Sequence, residues 1–182
     1  MSARGAKIVL LRGINLGPRN RIPMAELREA LAEAGFENPR TYLQSGNVVL
    51  SSGMSEKKLA SECKRLIAKR FGLDIEVVVR TRSELAKVVK LDPLGDVATN
   101  PKRYQVSFLA AKPSREVVGK LEAVAAEKER FVVKGREIYA WHPAGVARSK
   151  LWALLAGKGL GVPATARNWS TVTKLLELAD EA

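Results

Sequence analysis

Val9-Leu10-Leu11-Arg12-Gly13-Ile14-Asn15-Leu16-Gly17-Pro18-Arg19-Asn20-Arg21-Ile22-Pro23-Met24 runs from a buried strand, through a polar loop, into a helix. Residues 7–11 are a short apolar run of the kind that fills the centre of a sheet. Pro23 suits the first turn of a helix, where a missing N–H costs nothing. Between them stand Arg12, Asn15, Arg19, Asn20 and Arg21, with no carboxylate. Gly13 and Gly17 can take a positive φ or let a ligand approach the backbone.

Working outward, Met24, Leu27, Ala30, Leu31 and Ala34 recur at helical spacing over residues 23–34, and Gly35 stops that helix. Strands over 40–43 and 48–51 flank the turn Gln44-Ser45-Gly46-Asn47. A helix over 55–71 turns Leu59, Cys63, Leu66, Ile67 and Phe71 inward and Lys57, Lys58, Lys64, Arg65, Lys69 and Arg70 outward, and Gly72 ends it. A strand over 75–80 and a short helix capped by Ser83 follow. The order β-α-β-β-α-β is ferredoxin-like.

Residues 91–101, rich in Pro, Gly and Asp, read as a linker, after which the order begins again. A strand over 104–110, a helix over 114–126, a hairpin about Gly135 and a helix capped by Ser149 are expected. Residues 157–166 read as loop, which leaves this half as β-α-β-β-α. Asn168 then caps a terminal helix with Trp169, Val172, Leu175, Leu176 and Ala179 on one face. The expected fold class is α+β. A ferredoxin-like half, 1–98, precedes a related half, 99–182, that ends in the terminal helix.

The chain has 182 residues, enough for a proper core, and its 46% hydrophobic and 27% charged composition is that of an ordinary globular protein. No apolar run approaches the roughly 18 residues of a membrane helix, and residues 1–7 lack a leader's apolar core. A cytoplasmic location and no membrane partner are therefore expected. Cys63 and His142 are the only residues of their kinds, which argues against a disulfide and a metal site. The net charge is +12, with 17 basic and 11 acidic side chains in residues 1–98 and 14 and 8 in the remainder. Each half thus carries +6 and there is no basic tail. Such a field favours anionic partners, and it serves solubility equally well.

In a ferredoxin-like sheet the loop leaving strand one and the turn joining strands two and three share an edge. That sets Gln44, Ser45 and Asn47 beside Arg12, Asn15 and Asn20. With backbone N–H groups exposed at Gly13 and Gly17, this is the inventory that phosphate and carboxylate recognition needs. Arg167 and Asn168, at the start of a helix, are expected to close the same site as a cleft between the halves. Arg12 and Arg167 would neutralise charge while the amides fix orientation. The competing account is structural: Asn and Gly in turns satisfy their own backbone, and Asn168 simply caps while Arg167 pairs with a carboxylate.

Gly13-x-x-x-Gly17 is neither a P-loop nor a dinucleotide fingerprint. Cys63 reads as core and His142 as a turn residue, and no sequence feature joins Ser45 or Ser149 to His142. No catalytic residue, metal ligand or cofactor is specified, and the sequence does not separate an enzyme from a binding protein. The leading partner is an anionic or phosphorylated small molecule. Nucleic acid, met by the basic face of residues 57–70, is disfavoured because strands 7–12 and 48–51 carry no aromatic residue for base stacking. A third class is an interaction or assembly protein with no ligand. Oligomeric state is not legible.

Leu11-Arg12-Gly13-Ile14-Asn15-Leu16-Gly17, Ile22-Pro23-Met24-x-x-Leu27, Thr41-Tyr42-x-Gln44-Ser45-Gly46-Asn47-Val48 and Thr165-x-Arg167-Asn168-Trp169 together resemble the bacterial family called domain of unknown function 1697. The likeness spans nearly the whole chain in order, with Ser170 standing where the family pattern has asparagine. It implies a compact α+β, ferredoxin-like protein and supplies no reaction, cofactor or catalytic residue.

Overall fold

The first half follows the expected order. Strand β1 (Gly5–Leu11) leads to α1 (Met24–Glu33), then β2 (Glu37–Tyr42) and β3 (Asn47–Ser52), α2 (Glu56–Phe71) and β4 (Val77–Thr81). The computed structural model describes residues 4–182, so the part of the leader reading that rests on residues 1–3 lies outside it. The sheet order is β2-β3-β1-β4, with every neighbouring pair antiparallel. β1 is therefore central, and its run Ile8-Val9-Leu10-Leu11 is at most 1% exposed. A strand buried on both faces needs apolar residues without alternation, which is how this stretch is written.

One sheet face carries Val9, Leu11, Val48, Leu50, Val77 and Val79 against Met24, Leu27 and Leu31 of α1 and Leu59, Cys63 and Ile67 of α2. Cys63 is core, and burial pushes its thiol up to about 12. Ser55 caps α2 by accepting the Lys58 N–H at 3.3 Å, and Gly72 ends it at φ +67°. Helix α3 (Arg82–Leu91) is capped by Thr81 rather than by Ser83. Thr81 Oγ1 accepts the Glu84 N–H at 3.1 Å, and Glu84 accepts the Thr81 N–H at 2.8 Å. This reciprocal capping box satisfies two donors at once, which Ser83 could not do from inside the first turn.

The second half comprises β5 (Tyr104–Leu109), α4 (Arg115–Val124), β6 (Arg130–Lys134), β7 (Glu137–Trp141), α5 (Lys150–Ala156), β8 (Ala164–Asn168) and α6 (Trp169–Asp180). The fourth strand that the sequence reading leaves out is β8, which pairs antiparallel with β5 and completes the sheet β6-β7-β5-β8. One face packs Leu109, Ile138, Ala140 and Ala164 on Val117 and Leu121 of α4 and Leu151 and Leu155 of α5. On the other face Tyr104 stacks on Trp169 with ring centroids 4.8 Å apart, and the Tyr139 hydroxyl donates to the Val88 carbonyl at 3.0 Å.

The compact units do not follow a division at residue 98. Among the described residues one consists of 4–87 together with Lys174–Ala182, and the other of Val88–Thr173. In the first, Arg40 donates to the Leu178 carbonyl at 2.6 Å and Arg82 pairs with Asp180 at 2.6 Å. Two guanidinium groups thus hold the end of the chain to the unit that contains its beginning. No helix among the described residues is long and apolar enough to cross a membrane.

Candidate functional site

Antiparallel pairing of β1 with β3 and of β3 with β2 makes β1 and β2 run the same way. The loop leaving β1 and the turn between β2 and β3 consequently share an edge. The two are bonded directly: Leu11 N–H donates to the Gly46 carbonyl at 2.9 Å, and Asn15 Nδ2 donates to the Gln44 carbonyl at 2.7 Å.

Asn15 is the clamp of this edge. Its Oδ1 accepts the Ile22 N–H at 2.9 Å, its Nδ2 also donates to the Ile22 carbonyl at 2.9 Å, and its own N–H donates to the Asn20 carbonyl at 3.1 Å. Ile14 and Ile22, at 1% and 0% exposure, sink the two ends of the loop into the core. Gly13 takes φ +67°, and Asn15 and Asn20 take φ 55° and 54°. Asn is the non-glycine residue that tolerates this region best, which accounts for both positions. Gly17 needs no such conformation, and open space surrounds the place a Cβ would occupy.

The amides predicted as ligand groups thus serve the loop itself. Asn20 donates to the Gly13 carbonyl at 3.3 Å, and Asn47, fully buried, donates to the Tyr42 carbonyl at 3.0 Å and to Ser45 Oγ at 2.9 Å. Arg12 pairs with Glu76 at 3.1 Å, and Gln44 is exposed. What faces solvent is the tip, Leu16 to Arg21. Arg19 and Arg21 are exposed and pair with no carboxylate among the described residues, and the N–H groups of Gly13, Leu16 and Gly17 meet no acceptor there. A cavity of about 440 Å³, lined by Phe36, Glu37, Ser52, Met54 and Lys58 among others, lies at the other end of the strands.

Arg167 and Asn168 belong to the second unit. Arg167 is a strand residue paired with Val106 of the central β5, not part of a loop. It is 8% exposed, and its guanidinium donates to Thr165 Oγ1 at 2.7 Å and to the Ala166 carbonyl at 2.8 Å. Burial pushes its pKa down to about 10, which leaves it a cation at neutral pH. Asn168 Oδ1 accepts the Thr171 N–H at 3.0 Å and so caps α6. Asn168→Ala should cost about 1 kcal/mol, read as a lowered midpoint of denaturant unfolding.

The family described as Protein of unknown function (DUF1697) matches residues 5–139, three of the four motifs among them. The chain belongs to that family. The conserved bacterial protein SP0830 from Streptococcus pneumoniae has a similar structure, with a TM-score of 0.79 at 21% identity over 97% of this chain and 99% of that one. At that identity the likeness speaks for the fold alone. No curated protein matches the chain significantly.

Beyond the expected residues, this family member joins three side chains that its sequence gives no reason to join. His142 Nδ1 lies 2.5 Å from Glu129 Oε2, the Ser149 hydroxyl donates to the same oxygen at 2.6 Å, and Glu129 Oε1 accepts the Ala126 N–H at 3.0 Å. Ser149 also caps α5 by accepting the Trp152 N–H at 2.9 Å. Ser149 Oγ also lies 3.3 Å from His142 Nδ1, so serine and carboxylate converge on one nitrogen, whereas a nucleophile–base–orienter set needs them on opposite nitrogens. His142 is fully buried and its Nε2 has no hydrogen-bond partner. The trio is therefore a buried brace. Ser149→Ala should cost about 2 kcal/mol, since it removes a cap and a bond to a buried carboxylate together. Comparing its thermal melting with that of the wild type checks this.

The basic face of α2 is partly neutralised within the chain. Lys64 pairs with Asp74 at 3.1 Å, Arg65 with Glu62 at 2.6 Å, and Arg70 with Glu33 at 3.5 Å. On the sheet face away from α1 and α2, Ile8, Leu10, Val49 and Val78 are buried and aliphatic, so that face offers no platform for stacking bases.

Proposed function

We propose that the loop from Arg12 to Arg21 binds an anion, the phosphate or carboxylate of a ligand, at the edge it shares with the turn Gln44 to Asn47. The observation that carries this reading is the division of labour in the loop. Asn15, Asn20, Ile14 and Ile22 fix its backbone and Asn47 that of the neighbouring turn, while Arg19 and Arg21 are exposed and the N–H groups of Gly13 and Gly17 meet no acceptor among the described residues. A loop pinned this firmly loses little entropy on binding. Backbone near left-handed residues aims successive N–H groups into an anion-sized concavity. Arg12, held by Glu76, sets the base of the loop, and direct charge comes from Arg19 and Arg21.

Titrating inorganic phosphate into labelled protein should shift the amide resonances of Gly13 and Gly17 while leaving those of α2 unmoved. Replacing both Arg19 and Arg21 by alanine should weaken the response about tenfold or more with the melting temperature unchanged. Uniform small shifts across all basic surfaces would refute a built site. A nucleic acid held by several phosphate contacts would instead lose orders of magnitude in affinity between low and moderate salt.

A further inference from the structure

Four large hydrophobic side chains are exposed among the described residues, and two of them stand at the anion loop: Leu16 at 83% and Leu43 at 56%. Each is next in sequence to one partner of the Asn15–Gln44 hydrogen bond, so a single bond sets both at the same edge. Arg19 and Arg21 follow Leu16 within the same loop. A side chain 83% exposed lines no pocket. It protrudes, and its apolar surface would be removed from water only by a partner that accepts it.

We infer that this edge docks on an anionic bilayer surface, with Leu16 and Leu43 entering the interface and Arg19 and Arg21 meeting headgroup phosphates. The inference rests on the anion-binding reading and names where the anion sits. Charge complementarity selects the occupant. The chain carries +12, no carboxylate lies between Arg12 and Met24, and Glu76, which pairs with Arg12, is compensated. An anionic leaflet attracts such a surface at every cation near it, and an apolar anchor together with a basic patch is the pair of signals that makes surface binding hold. A bilayer also takes a convex tip without needing a matched pocket. No helix among the described residues is long and apolar enough to cross a membrane, and adsorption through a loop needs none.

The test is sedimentation with vesicles of phosphatidylcholine alone and of phosphatidylcholine mixed with phosphatidylglycerol. The wild-type protein should pellet with the mixed vesicles and stay in solution with the neutral ones. Replacing Leu43 by serine should weaken vesicle binding by about tenfold or more, since a buried leucine carries roughly that factor. Its phosphate-induced amide shifts should stay as in the wild type. Replacing Arg19 and Arg21 by alanine should weaken both responses by about tenfold or more. Replacing Lys57 and Lys58 by alanine, with the same loss of charge at the start of α2 and the opposite end of the strands, should change vesicle binding by about twofold or less. A leucine variant that pellets like the wild type, or a lysine variant that loses as much as the arginine variant, would mean adsorption by charge alone and overturn the inference. Phosphate shifts without vesicle binding overturn it and leave the anion loop standing. Absence of both removes the two readings together.

Discussion

Gly46→Ala should lower stability by about 3 kcal/mol, read as a fall in the urea midpoint at constant slope. Two separate costs combine. Gly46 takes φ +83°, where a Cβ strains the backbone by about 1 kcal/mol or more. A Cβ there would also stand 2.6 Å from Leu11 Cβ and 2.9 Å from Ile14 Cδ1. Leu11 Cβ cannot swing aside, because it is fixed to the central strand whose N–H bonds the Gly46 carbonyl. Relief would have to come from moving the turn away from β1, which pulls at the Asn15–Gln44 bond as well. Gly13→Ala is the control. Gly13 also has a positive φ, +67°, but nothing lies near its would-be Cβ, so the backbone term of about 1 kcal/mol should be the whole cost. Equal losses at the two positions would show that crowding against Leu11 contributes nothing.

Gly46 also illustrates what the sequence discloses. Its place in a turn is legible from Gln44-Ser45-Gly46-Asn47, and its fit against Leu11 and Ile14 is not, because the contact joins residues far apart in the chain. The first half reads well for a related reason. Its strands β1, β3 and β4 contain apolar runs, its helices carry their stripes, and the β-α-β-β-α-β order dictates which loops meet, so the shared edge of Asn15 and Gln44 follows from topology before any contact is seen. Strand β8 escapes the same reading. Ala164-Thr165-Ala166-Arg167-Asn168 holds no large apolar residue, and its place in the sheet comes from pairing with β5 rather than from its own pattern. The error carries into the site, since Arg167 read as a loop cation is a buried strand residue bonded to Thr165 and Ala166. Within the loop the residue types were informative but their roles were not. An asparagine that binds a ligand and one that clamps a backbone are the same letter, and only the bonds to Ile22 and Gln44 assign Asn15 to the second task.

Glu129→Gln should cost about 3 kcal/mol at neutral pH and progressively less in acid. Glu129 Oε2 takes both His142 and the Ser149 hydroxyl, while Oε1 takes the Ala126 N–H. A glutamine has one acceptor oxygen, so either the Ala126 N–H faces an NH2 group or Ser149 and His142 lose the oxygen they share, and the bonds to an ionised acceptor are lost in both orientations. Burial by itself raises the Glu129 pKa, but the hydrogen bonds from Ser149, His142 and the Ala126 N–H outweigh burial, and the net result lies below the usual carboxylate value. The sign follows from linkage. A carboxyl whose pKa is depressed in the folded state contributes its full stabilisation above the unfolded-state pKa of about 4.3, and that contribution is lost as the pH falls through the folded-state value. The wild-type protein therefore forfeits in acid what the glutamine variant lacks at every pH. Denaturant unfolding of the two proteins at a series of pH values should show a gap that is constant from about pH 7 to 5 and narrows below about pH 4. A gap that stays fixed through the acid range would mean that the ionised carboxylate is not what braces His142 and Ser149.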